Sequence, residues 1–463
     1  MLPKPRIVAI DDEQDSLNAI ADALNGAGAA CLKLLYAGGL PEGTILEQVR
    51  VIFIDLHLSH PSGMNEAQHF STIGGILQEY IAVNNGPFIL IVWTLYPPQV
   101  DGLSKFLCER LLEHPHAIPT RIETLSKINH IRGAQVLDPA KLIDDVKTSV
   151  NALAHIAALV NWENRVTFAA SETIAAVIGL VPDDKRGATT LEPEMERLLN
   201  ALATEAVGSS NVGKDRFSAV NEALLPILYD RVSRLKVERA DEKLWTKAIA
   251  KPGQKPNISR SEAARLNSML HVDFDLRNVS VMDRGVVVEC PAELVSDAQF
   301  RGSFGMTAER FLTEQLGFDP PPAVNEVRWV LIQVEGVCDY AQAQAGPAPF
   351  VLGIECSMIG SPNAPQAMWQ SPVLSIDSCE RTVYLNFRFG QSYTKTTAKD
   401  FKLLYRFREA LTNDVVSRMH SYGARPGIIS FRATTSKSEK GATAPPVGSE
   451  NPPAVGSIGK PAE

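Results

Sequence analysis

Arg6-Ile7-Val8-Ala9-Ile10-Asp11-Asp12-Glu13 is an apolar run of strand length that ends in acids, and Val51-Ile52-Phe53-Ile54-Asp55-Leu56-His57-Leu58 does the same some 43 positions after Asp12. Runs that are apolar throughout, rather than alternating, read as strands buried on both faces, as in parallel sheets covered by helices. In such sheets the carboxyl ends of the strands form the crevice where ligands bind. Asp11, Asp12 and Asp55 would then gather at one edge. Three carboxylates brought together repel one another unless a hard divalent cation neutralises them through oxygen ligands, and Mg²⁺ is the expected ion. Taken alone, Asp11-Asp12-Glu13 reads equally as the cap and acidic first turn of a helix beginning near Asp15.

Two further runs extend the pattern. Pro87-Phe88-Ile89-Leu90-Ile91-Val92-Trp93-Thr94 is a third buried strand, ending in a hydroxyl, and Arg121-Ile122-Glu123-Thr124-Leu125-Ser126-Lys127 is a shorter one ending in a cation. In this order the four segments resemble the receiver domain of two-component response regulators, over roughly residues 5 to 150. The resemblance implies a doubly wound, flavodoxin-like sheet of five parallel strands. It implies that Asp55 is the phosphoacceptor, Thr94 the switch residue and Lys127 the phosphate-pairing lysine. Mg²⁺ would be held by Asp11 or Asp12, by Asp55 and by the backbone carbonyl of His57. The implied partner is a histidine kinase.

The chain departs from that family around Lys127. Ile128 stands where a proline usually follows the lysine, and Thr124 stands where an aromatic couples to the switch hydroxyl. A longer interval between Thr94 and Lys127 carries Pro97-Pro98 and His114-Pro115-His116-Ala117-Ile118-Pro119. These changes leave open a receiver fold that is not phosphorylated. Otherwise they imply that the signal leaves through the helix starting near Pro139 rather than through an aromatic flip.

At 463 residues the chain exceeds one core. With 45% hydrophobic and 21% charged residues its composition is that of an ordinary globular protein, and a net charge of −8 argues against wholesale coating of nucleic acid. No apolar run reaches the ~18 residues of a membrane span, and Met1-Leu2-Pro3-Lys4-Pro5 leads straight into a strand, so the expected location is the cytoplasm. The six cysteines lie far apart without a C-x-x-C pair, which suggests small apolar residues in a reducing compartment.

Four regions are expected: a receiver over 1–150, a helical middle domain over 151–278, a β-rich α+β module over 279–432 and a disordered tail over 433–463. Leu142, Ile143, Val146, Val150, Leu153, Ile156, Leu159 and Val160 recur by threes and fours, predicting a helix from about Asp138 to Leu180. Pro226 predicts a kink or boundary in a later helix. Between Arg231 and Arg265 ten Lys/Arg residues face four Asp/Glu. That excess offers a DNA-binding face for a transcriptional regulator, or merely a solvated helix with a Lys-Pro loop. Segments 285–290, 327–334, 350–356 and 382–389 read as strands of what could close into a small barrel, followed by a helix from Leu403 to Met419 and a last strand near 428–431.

Gly336-Val337-Cys338-Asp339-Tyr340-Ala341-Gln342, together with Arg425-Pro426-Gly427, loosely resembles C-terminal modules of bacterial antiphage-defence proteins, some of which carry altered receivers. Cys338 with His420 as base would make a C-terminal enzyme switched by phosphorylation; a structural cysteine is the plainer reading. The expected whole is a non-enzymatic response-regulator-like protein acting through a downstream protein partner, with homo-oligomerisation left open.

Overall fold

The computed structural model describes residues 4–424 except 59–64, 134, 188, 255–256, 342–345 and 358–364. The turn and strand expected at 425–431 and the tail over 433–463 lie outside the described residues, as does the Cys338 side chain. The chain divides after Asn257 into two compact units.

The first unit opens with β1 (Ile7–Asp11), α1 (Gln14–Gly26), β2 (Cys31–Leu35) and β3 (Val51–Ile54). There follow α2 (Glu66–Tyr80), β4 (Ile89–Thr94), α3 (Leu103–Arg110) and β5 (Arg121–Ser126). The strands form one sheet in the order β2-β1-β3-β4-β5, and every pairing in it is parallel. All four residues of β3 and all six of β4 are buried, the outcome that unbroken apolar runs predict for central strands. Helices cover both faces. On one, Leu17, Ile20 and Leu24 of α1 pack with Phe53, Ile91 and Trp93, and on the other Phe70, Ile73 and Leu77 of α2 pack with Ile54, Leu90 and Val92. Each such side chain taken fully out of water contributes about 1.5–3 kcal/mol. This arrangement is consistent with a flavodoxin-like fold.

A single-turn helix α4 (Lys127–His130) follows β5 at once, then a small hairpin of β6 (Ile131–Arg132) and β7 (Gln135–Val136). Helix α5 (Pro139–Asn151) is capped by Asp138, whose carboxylate accepts the Lys141 N–H, and Pro139 at its first position needs no partner. The periodic stretch expected as one helix is two, because Leu153 takes a non-helical conformation before α6 (Ala154–Gly179). Glu163 of α6 ties that helix to the sheet. It accepts from Arg6 at 2.8 Å and from Arg50 at 2.8 Å, the residues just before β1 and β3.

Helices α7 (Leu191–Val207), α8 (Arg216–Arg234) and α9 (Arg239–Ala248) complete this unit. Helix α8 runs through Pro226 without a boundary. The carbonyl deprived of its donor belongs to Glu222, an exposed residue, so water can serve it. Among the described residues no helix is long and apolar enough to cross a membrane.

The second unit begins with α10 (Arg260–His271), capped by a reciprocal Ser259–Glu262 pair. The expected boundary between helical and β-rich regions, at 278/279, therefore falls inside this unit. Helix α10 belongs here because it packs on strands: Ser268 Oγ accepts the Ser375 N–H at 2.8 Å and Asn267 donates to the Val373 carbonyl at 2.9 Å. The strands are β8 (Val272–Asp273), β9 (Val286–Glu289), β10 (Arg328–Gln333), β11 (Ala348–Cys356), β12 (Met368–Gln370), β13 (Leu374–Ile376), β14 (Cys379–Tyr393) and β15 (Leu403–Phe407). They make an antiparallel sheet ordered β12-β14-β11-β10-β9-β15-β8, with β13 beside β14. Among the described residues its outer strands β12 and β8 do not pair, so it is an open sheet rather than a closed barrel.

Helical segments cover both faces of this sheet. Phe300, Phe311 and Leu312 lie on one, and Leu411, Val415 and Val416 of the helix Glu409–Gly423 on the other. Leu403 to Phe407, expected as the start of that helix, is strand β15 instead. Tyr405 and Phe407 bury alternate positions, a period of two that the neighbouring apolar Leu403 and Leu404 conceal.

Candidate functional site

The carboxyl ends of β1 and β3 lie side by side because Ile10 pairs with Ile54, and the Asp55 N–H continues the ladder to the Ile10 carbonyl at 3.0 Å. Asp11, Asp12 and Asp55 thereby converge, each offering a carboxylate oxygen within 4.8 Å of the others. Asp11 Oδ1 accepts the Glu13 N–H at 2.9 Å, and Asp55 Oδ1 accepts the Leu56 N–H at 2.7 Å. These backbone donors fix the two carboxylates on rigid strand ends.

Lys127 enters from the end of β5. Its Nζ lies 2.7 Å from Asp11 Oδ2 and 3.0 Å from Asp55 Oδ2, and its side chain is buried. Burial works against the ammonium charge, but Asp55 and Asp11 outweigh it and hold Lys127 above its ordinary range. Asp11 shows the other side of the balance. Burial pushes its pKa up to about 6, Lys127 pulls it down, and the Asp55 carboxylate adds to the rise. Three carboxylates thus gather where Lys127 supplies one ammonium, paired with Asp11 and Asp55. The donor set is hard oxygen with a charge deficit, which fits a divalent cation of the Mg²⁺ or Ca²⁺ kind. Among the described residues no other group of three His, Cys, Asp or Glu side chains converges in this way.

Thr94 ends β4, the strand between β3 and β5, and is fully buried. Its register partner is Ser126, the residue before Lys127. The Thr94 hydroxyl accepts the N–H of Tyr96 at 3.1 Å. Thr124 pairs with Val92 in the sheet and is exposed.

Sequence reasoning missed the rings on the other side of the edge. The His57 imidazole stacks on His69 of α2, with ring centres 4.1 Å apart, and on Tyr96 at 4.6 Å. Gln99 Oε1 lies 2.7 Å from His57 Nε2. Burial, with His57 next, lowers the pKa of His69 against the opposing pull of Asp55. No periodicity or spacing announces this stack, since its members come from three separate segments. A cleft of about 530 Å³, lined by Glu13, Gln14, Asp15, Ser16, Leu95, Lys127, Ile131 and Gly133, adjoins the pocket.

The second unit buries a carboxylate differently. Glu355, fully buried on β11, accepts the Tyr405 hydroxyl at 2.9 Å on Oε2, while Oε1 faces Arg328 at 3.3 Å and Arg381 at 3.9 Å. Arg328 also reaches Asp377 at 2.7 Å. Burial raises the Glu355 pKa against the pull of Arg328. Cys290 is equally unreactive, its thiol pushed up to about 12 by burial. His420, proposed as a base for Cys338, is exposed on the last described helix. No protein-family model, no curated protein and no solved structure matches the chain.

Proposed function

We propose that the first unit is a receiver-like phosphoacceptor of a bacterial two-component relay, taking a phosphoryl group on Asp55 from a histidine kinase. The observation that carries this reading is Lys127 Nζ bridging Asp11 and Asp55 at 2.7 and 3.0 Å beside Asp12. An Asp55 oxygen attacks phosphorus, the bond from phosphorus to the donor's imidazole nitrogen breaks, and that nitrogen keeps the electron pair. Lys127 pairs with the arriving phosphoryl oxygens, and the Thr94 hydroxyl, which accepts the Tyr96 N–H, can donate its own proton to one of them. Mg²⁺, held by Asp11, Asp12, Asp55 and the His57 backbone carbonyl, would neutralise the phosphoryl charge.

The output is a contact with a partner protein rather than a built-in enzyme, in a cytoplasmic signalling setting of the antiphage-defence type. The DNA-binding alternative draws on the basic run. Three of its arginines are already paired within the fold, Arg231 with Glu172, Arg234 with Asp230 and Arg260 with Glu380, which lowers the charge free for phosphates.

The test is incubation with acetyl phosphate and Mg²⁺, reading hydroxylamine-labile label on the intact chain. Native protein should be labelled and Asp55→Asn should not. Equal labelling of Asp55→Asn would remove the assignment.

A further inference from the structure

Helix α4 is four residues long and carries the lysine of the pocket at one end. A single turn has no stability of its own, since the entropy of ordering it exceeds what one hydrogen bond returns. Something outside the turn must fix it. Ile128 and Asn129 point outward, while Lys127 and His130 are 1% and 3% exposed and turn inward. The spacing of three places both on one side of the turn.

His130 reaches a part of the core that the pocket does not touch. Its ring stacks on Trp93, the residue before Thr94, with centres 5.8 Å apart and planes at 28°. Its Nε2 lies 3.5 Å from Asp145 Oδ2 on α5. The His130 carbonyl accepts the Leu137 N–H at 2.8 Å, closing the hairpin that leads to α5. Burial lowers the imidazole's pKa, with Asp145 opposing the fall and Lys141 adding to it.

We propose that His130 is the positioning residue of Lys127: seated between Trp93 and Asp145, it holds the turn so that Nζ spans Asp11 and Asp55. This rests on the phosphoacceptor reading only for its effect on labelling, because the anchoring of Lys127 has its own readout. The anchor has two consequences. Lys127 is aimed before any phosphoryl group arrives, and any movement of Lys127 is passed to α5 through Asp145.

Two measurements on the full chain test it, using His130→Asn, which removes the ring stacked on Trp93, and Asp145→Asn, which keeps the shape of the side chain. Competitive acetylation followed by mass spectrometry reads the accessibility of Lys127 directly. Against exposed lysines as internal standards, both variants should raise its reactivity several-fold, and unchanged reactivity overturns the proposal whatever the phosphoryl chemistry.

The second measurement is the rate of Asp55 labelling by acetyl phosphate in a double-mutant cycle with Lys127→Ala. His130→Asn should slow labelling by about tenfold in the native background, the scale of a lost supporting contact, and add little once Lys127 is gone. An equal slowing in both backgrounds means that His130 acts through general stability and overturns the proposal. Failure of the native chain to label at all removes the phosphoacceptor reading, while a positive acetylation result still upholds the anchor.

Discussion

Each unit of this chain buries carboxylates in a sheet, and the two sheets treat them in opposite ways. In the antiparallel sheet Glu355 sits within a strand, met by Tyr405, Arg328 and Arg381, with Asp377 on the outer side of Arg328. In the parallel sheet three carboxylates crowd the strand ends around one ammonium, next to an open cleft. A buried charge with partners on every side belongs to the architecture. A buried deficit at a strand edge is a standing attraction for a cation, and raised acid pKa values at such places mark functional sites. The position of the charge in the sheet, rather than its burial, separates the two.

The contrast breaks most visibly at Lys127. Lys127→Met should lower the unfolding free energy at pH 7 in metal-free buffer by about 3–5 kcal/mol, the cost of leaving buried charge without its partner, as read by urea titration. A loss under about 1 kcal/mol would mean that water reaches the pocket freely and that its charges are not buried.

Mg²⁺ gives the next effect. At a hundred times its dissociation constant it should stabilise the native chain by about 2.7 kcal/mol, reversed by chelator, and Asp12→Ala should weaken its binding while leaving the fold intact. Calorimetry that finds the same Mg²⁺ affinity in Asp12→Ala places the ion elsewhere.

The pH response comes next. Because the Asp11 pKa is raised to about 6, the folded state holds its proton when the unfolded chain has released it. The stability this confers is complete below about pH 4 and is lost as pH rises through about 6 with Mg²⁺ absent. Asp11→Asn should flatten that slope, and a slope that persists would assign it to another group.

Least of all should be Tyr405→Phe in the balanced cluster. One hydrogen bond to Glu355 is lost, about 1.5 kcal/mol, with Mg²⁺ affinity unchanged. A shift in that affinity would show that the two units communicate.

Asp11, Asp55 and Thr94 were legible because each ends or directly follows a strand whose apolar run is visible in the sequence, and in a parallel sheet strand ends share an edge; Lys127 follows a mostly polar run and was legible only from the order of the four segments. His57 was legible only as a backbone position. Its ring contacts with His69 and Tyr96 depend on how α2 and the loop after β4 fold back, which no local pattern records. His130 was hidden for a similar reason, since a single turn has no periodicity to read. The affiliation of α10 was unreadable because a helix's apolar stripe does not say which sheet it will cover. Leu403 to Phe407 misled because two apolar residues in succession match a helical stripe as well as an alternating strand.

Glu163 has a mechanical consequence. It grips Arg6 and Arg50 ahead of β1 and β3, at the end of the sheet away from the carboxylates, and so gives α6 a pivot. At about 1.5 Å per residue, roughly 24 Å of helix lies between Glu163 and Gly179, so a tilt of about 5° around the pivot carries the tip about 2 Å. Leu153 separates α5 from this lever, so the arm that moves as one is the length of α6 beyond Glu163. A tilt too small to alter the strand pairing is thus a displacement of about 2 Å at the far end of α6.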